Sequence, residues 1–202
     1  MTQMPEASAA AEWAEALIHG RRTVLPKRLA GPGPDAAQLQ RILGAAGAAP
    51  DHGELLPWRF VLVPDAGRDA LAAVFEQALR ERDAQATGEQ LAQAREKAFR
   101  APVLMLAIAD PGAPDAEVPA HERLLSAGCA IQNMLLMATA LGFGSALTSG
   151  KALASPGLHR LFGLRPGEQA LCFVSIGSIA SSRRGRARPD VQRYVSELQS
   201  DR

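Results

Sequence analysis

Cysteine and histidine are scarce in this chain of 202 residues, which holds two cysteines, Cys129 and Cys172, and four scattered histidines. No CxxC pair occurs, so neither a structural zinc site nor a disulfide framework is expected. A dominant charge is lacking too. Twenty-two basic residues against 21 acidic ones leave +1, which argues against a general nucleic-acid binder. The chain has no GxGxxG turn, no GxxxxGK(S/T) loop and no GxSxG elbow. That removes a Rossmann dinucleotide site, a P-loop and an α/β-hydrolase nucleophile.

Long hydrophobic runs are also missing. The one stretch of membrane length, Leu124 to Phe143, carries Ser126, Gln132, Asn133 and Thr139, polar groups that hydrocarbon penalises. A helix buried in protein is expected there. The first residues carry Glu6, Glu12 and Glu15 and no basic residue before Arg21, unlike a secretory signal. A reduced, cytoplasmic setting is therefore expected, with no membrane partner.

What is present is an ordinary globular composition, 47% hydrophobic and 21% charged. One domain over 1–202 is expected, with residues 1–8 flexible and 179–202 an extended arginine-rich tail. A first helix spans Ala9 to His19, with Trp13, Leu17 and Ile18 turned inward, and stops at Gly20. Three prolines and two glycines keep the segment from Val24 to Pro34 extended. Asp35 with Gln38, and Thr87 with Gln90, are helix starts of the capping-box kind. Ser155-Pro156 opens a short helix with proline at its first position. Leu71, Val74, Phe75, Ala78 and Leu79 repeat at helical spacing. Trp58–Val63, Val103–Ala109 and Leu171–Ile176 read as strands, the second buried on both faces. Asp110 to Glu122 reads as a loop. Helices interleaved with a few short strands give an α+β or α/β chain.

No acid, base or nucleophile constellation emerges. Cys129, in the most apolar helix, and Cys172, in a strand, read as core packing. His19 and His159 lie on helix surfaces near termini, and His121 with Glu122 reads as a solvated pair. A cofactor is therefore expected to supply any reactive atoms. Anion binding is the better lead. Arg21-Arg22-Thr23 offers two guanidinium forks and a hydroxyl at a helix exit, suited to a phosphate or simply to solvated cations at a helix C-terminus. Thr148-Ser149-Gly150 reads as further donors or as an ordinary turn. Arg183, Arg184, Arg186 and Arg188 are further candidates in the tail. His52, between a helix end and a strand start, reads as a donor to a bound carbonyl or as a loop cap.

The helix ending in RRT, the PGPD helix start, AAPDHGELLPWRFVLV, the strand after FRAPV, and SAGCAIQNMLLMATALGFGSALTSG follow one another in order. Together, from about Leu17 to Gly177, they resemble the FMN-dependent nitroreductase family in its compact YdjA-like branch. The resemblance implies an α+β fold with a central, mostly antiparallel sheet flanked by helices, in an intertwined homodimer with FMN at the subunit interface. It implies an NAD(P)H oxidoreductase that passes hydride by ping-pong from NADH or NADPH through FMN to an electron-poor small molecule, such as a nitroaromatic or quinone. Arg21, Arg22 and Thr23 would hold the FMN phosphate and ribityl chain, and Leu147, Thr148 and Ser149 would line the flavin. Ala48 and His52 would approach the partner's flavin. Met137, Ala138, Thr139, Ala140, Leu141 and Gly142 match a region ascribed to the nicotinamide nucleotide. Where close relatives carry arginine, lysine and Trp-Arg, this chain has Ala48, Gly53 and Leu147-Thr148. Those departures favour an altered acceptor preference. They also keep open a non-catalytic FMN-binding or regulatory dimer, or a flavin dehydrogenase of a biosynthetic pathway.

Overall fold

The computed structural model describes residues 7–113, 116–181 and 187–199. Its elements run α1 (Ala7–Gly20), β1 (Leu29–Ala30), α2 (Ala36–Ala45), β2 (Trp58–Leu62), α3 (Arg68–Arg82), α4 (Gly88–Glu96), β3 (Val103–Ala109), α5 (Ala120–Ala140), β4 (Gly144–Thr148), α6 (Pro156–Leu161) and β5 (Gln169–Ile179). Every strand pairing is antiparallel. β3 lies between β2 and β5, while the far edge of β5 pairs with β4 and then with β1. The expected α+β arrangement, an antiparallel sheet with helices on both faces, is what the chain forms.

Period-two alternation along β3 builds two cores at once. Met105, Ala107 and Ala109 pack towards α2 and α5. Leu104, Leu106 and Ile108 pack with residues of α3 and α6, where Phe173 meets Phe75 and Phe162 edge-on. Each of these β3 leucines and isoleucines contributes about 1.5–3 kcal/mol by leaving water. Both capping boxes form: Asp35 accepts from the Gln38 amide, and Thr87 from the Gln90 amide, with the glutamine side chains reaching back. Pro156 opens α6 behind a Ser155 cap.

Several expectations fail for identifiable reasons. Trp13 and Ile18 are exposed rather than turned inward, at 67% and 52%, because α1 packs chiefly on α5 and buries no residue within this chain. The segment after Val24 is not extended throughout, since Pro26–Arg28 forms a 3-10 turn. The loop after β3 ends sooner than expected, with α5 starting at Ala120 and Glu122 in its electropositive first turn. Cys129 is exposed. The buried face of α5 carries Ala127, Ala130, Ile131, Met134 and Ala138, and Cys129 falls on the opposite strip with Leu125.

The sequence predicts no strand over GSALT, which leads into the candidate turn Thr148-Ser149-Gly150, yet it forms β4, held by five register pairs to β5. Its smallest residues sit where chains crowd. Gly144 faces Gly177 across the ladder, and a Cβ on Gly144 would stand 2.8 Å from both Ile179 and Leu29. On Gly177 it would stand 2.7 Å from the Pro102 ring. Glycine at both places admits close backbone approach. The segment from Thr23 can therefore run beside β4, with Thr23 bridged in parallel to Ser145 and the Val24 amide donating to the Ser145 carbonyl at 2.9 Å.

Candidate active site

α1 stops at Gly20, and its last carbonyls collect arginines. Arg22 donates through Nη1 to the His19 carbonyl at 3.1 Å. Arg188, arriving from the tail, donates through Nη2 to the Arg21 carbonyl at 2.8 Å and the His19 carbonyl at 3.3 Å. Cations at a helix C-terminus are favoured by its dipole. Three at one place also repel one another. Burial first, and then the charges of Arg188 and Arg22, lower the pKa of Arg21. Among the described residues none of the three has a carboxylate partner. Arg183, Arg184 and Arg186 lie outside the described residues.

From this cluster the chain runs along β4 to a cavity of about 390 Å³. Phe75, Leu79, Leu104, Leu153 and Phe173 give it an apolar floor, and Thr148, Ser149 and Gly150 line one side. Leu147 is separated from them by strand alternation and is 43% exposed on the other face of β4. At the β4 edge, the Ser145 hydroxyl is buried with no hydrogen-bond partner among the described residues. Basic side chains complete the lining: Lys27, Arg82, Lys97, Arg100 and Lys151. They come from four separate stretches of sequence, so no local motif could have announced them.

Ala48 and His52 stand elsewhere, and neither lines the cavity of its own chain. Ala48 closes an exposed 3-10 turn after α2. His52 opens another, in which Gly53 takes φ +77°. Asp51 steadies the same loop by accepting from the Leu56 amide at 2.7 Å. The histidine Nδ1 lies 2.8 Å from Glu122 Oε2 at the start of α5. This hydrogen bond, with the Glu122 charge, raises the His52 pKa. Glu122 thus partners His52, not the adjacent His121. The second ring nitrogen of His52 makes no hydrogen bond among the described residues.

The nucleotide candidates are mostly turned inward. Ala138 is fully buried in the core, and the Thr139 hydroxyl donates to the Leu135 carbonyl at 2.8 Å. Met137 and Leu141 pack against the same core, Gly142 turns the chain at φ +83°, and Ala140 and Gly142 are exposed. Cys172 is buried as expected, its thiol pushed up to about 11 by burial. Among the described residues no cluster of His, Cys, Asp and Glu could hold a metal ion. Among the described residues no helix is long and apolar enough to cross a membrane.

Fold and site thus define an α+β protein with an arginine cluster and an apolar-floored, cation-lined cavity joined by one strand edge. The nitroreductase family model matches residues 18–178, and the chain belongs to that family. It is 36% identical over 162 residues to the Escherichia coli K12 protein named "Putative NAD(P)H nitroreductase YdjA", covering 80% of this chain and 86% of that one. Among solved structures, the nitroreductase-like family protein of Bacillus cereus superposes with a TM-score of 0.76 at 20% identity, covering 99% of this chain and all of that one. The Bacteroides fragilis nitroreductase with bound FMN superposes at 0.65 with 21% identity, covering 91% of this chain and 97% of that one.

Proposed function

We propose that this chain is an FMN-dependent NAD(P)H oxidoreductase acting as a homodimer. The observation that carries the reading is the unpaired cluster of Arg21, Arg22 and Arg188 at one end of the β4 edge, with the cavity at the other. Guanidinium forks without a carboxylate suit a phosphate dianion. The three residue steps from Arg22 to Leu25 span about 10 Å at ~3.3 Å each, room for a sugar-alcohol arm between phosphate and ring. The unpartnered Ser145 hydroxyl and Thr23 supply donors along that arm. Thr148, Ser149 and Gly150 border the ring, with Leu147 flanking it from the outer side of β4.

The chemistry FMN supplies when bound is a two-electron relay, taking hydride from NADH or NADPH and, after exchange of ligands, passing it to a nitroaromatic or quinone. For a nitro group the balance is NAD(P)H plus a proton plus the nitro compound, giving NAD(P)⁺, the nitroso compound and water. The protein's part is to orient and to exclude water. Its other part is to present positive charge where negative charge develops. Exposed Trp13, Ile18 and Leu125 are the surface that the second copy covers. His52 and Ala48 reach the partner's cofactor, with Glu122 fixing the imidazole.

Loading with FMN followed by spectroscopy tests this. Replacing Arg21 and Arg22 by alanine removes two charge-assisted contacts, about 3–6 kcal/mol, and should weaken FMN by roughly a hundredfold or more with circular dichroism unchanged. Undiminished FMN affinity in that variant would refute the phosphate assignment. A loaded wild type unable to oxidise NADH or NADPH with any quinone or nitro acceptor would leave the non-catalytic binding dimer or a flavin dehydrogenase of other chemistry.

A further inference from the structure

The cavity carries far more positive charge than the chain as a whole. The protein has a net charge of +1, yet among the described residues the cavity is lined by Lys27, Arg82, Lys97, Arg100 and Lys151 and by no carboxylate. Elsewhere four arginines share two carboxylates: Arg59 and Arg165 share Glu168, and Arg80 and Arg95 share Glu76. At the cavity, among the described residues, only Arg100 is paired, to Glu96 at 2.9 Å. Glu96 also feels the charge of Lys27, without forming an ion pair to it. Arg82, Lys97 and Lys151 have no ion-pair partner among the described residues.

Those three are exposed, while the floor beneath them is aromatic and aliphatic. Such a site favours a flat apolar body bearing a negative group at its outer end. The phosphate of the cofactor does not account for the charge, because Arg21, Arg22 and Arg188 already form a separate cluster for it. Arg82, Lys97 and Lys151 come from separate elements and present point charges around the rim, which attract a single anionic group without demanding a fixed fork geometry.

We propose that the oxidising substrate of this protein is an aromatic or conjugated acceptor carrying a carboxylate, drawn to the cavity by Arg82, Lys97 and Lys151. This rests on the FMN oxidoreductase reading above and narrows its acceptor. Two-electron reduction of 4-nitrobenzoate to 4-nitrosobenzoate consumes one NAD(P)H and one proton and releases water.

The test compares 4-nitrobenzoate with its neutral amide on the FMN-loaded protein. The amide withdraws electrons more strongly, so ring electron deficiency alone favours it. The expected result is a kcat/KM ratio of acid to amide of about 10 or more at low salt, falling as ionic strength rises. The ratio should drop at least about fivefold in Arg82→Gln/Lys151→Gln, by loss of two screened charges. Equilibrium dialysis of both compounds, with and without FMN loading, reads the same selectivity without turnover. Selective binding of the acid, with neither compound nor any quinone reduced, would keep the carboxylate site and overturn the oxidoreductase reading instead. Reduction of both compounds at a ratio near or below 1 would overturn the carboxylate proposal and leave that reading standing. So would a double variant with an unchanged ratio but a raised KM for NADPH or a weakened hold on FMN, since the cations would then serve donor or cofactor.

Discussion

Glu168→Gln tests whether the site's scaffold is held by the charge that the structure assigns to it. Glu168 stands just before β5 with its side chain 3% exposed. Its carboxylate accepts from Arg59 Nε at 2.8 Å and Nη2 at 2.7 Å, and from the Arg165 amide at 2.7 Å and Nε at 2.9 Å. Arg59 belongs to β2, so this clamp ties β2 across β3 to the entry of β5. Hydrogen bonding from Arg59 is the leading cause that lowers the Glu168 carboxyl from 4.5 to about 2. At ~1.4 kcal/mol per pKa unit the shift corresponds to roughly 3 kcal/mol. Screening at Arg59 and Arg165, 29% and 69% exposed, brings the expected loss to about 1–2 kcal/mol. For a chain of this length that lowers Tm by about 2–8 °C. Because the folded pKa is depressed, the contribution is complete above about 4.5 and disappears as pH falls through about 2. Urea titrations of wild type and variant followed by circular dichroism should show a constant difference between pH 8 and pH 5. By about pH 3 it should be less than half as large. A difference independent of pH from 7 to 3 would refute the electrostatic account and leave only a packing defect.

Two further outcomes are expected. The His52 imidazole should titrate above 6.5 by NMR, and Glu122→Gln should return it towards that value, because the Glu122 hydrogen bond is the main cause of the rise; His52→Ala should slow acceptor reduction roughly ten- to a hundredfold without abolishing it. Light scattering of the purified protein should give twice the chain mass at micromolar concentration, and a stable FMN-loaded monomer would contradict the homodimer.

Local chemistry made much of the architecture legible. Asp35 with Gln38 and Thr87 with Gln90 announced their helices because a cap satisfies amides within four residues of itself. β3 was legible because a strand with cores on both faces has no polar position. β4 was not, since Gly144, Ser145 and Ala146 carry little strand propensity and are held by β5, a partner distant in sequence. Trp13 and Cys129 misled because helical periodicity says that a face is apolar, not which molecule covers it. At the candidate site, Arg21 and Arg22 stood out as neighbours in sequence. Arg188 was one of four candidate arginines in the tail until its hydrogen bond to the Arg21 carbonyl singled it out. Lys27, Arg82, Lys97 and Lys151 come together only through folding.

The contact between Gly144 and Gly177 gives the molecule a division of labour. The interval between the arginine cluster and the cavity is fixed by main-chain hydrogen bonds along Thr23, Val24, β4 and β5. Phe75, Leu79 and Arg82, on α3, and Lys97 and Lys151 take no part in that ladder. Substituting them changes the shape and charge met by an incoming molecule while leaving the interval alone. Selectivity can therefore drift, or be redesigned, one surface residue at a time. A side chain added at either glycine would force the strands apart and alter the spacing itself.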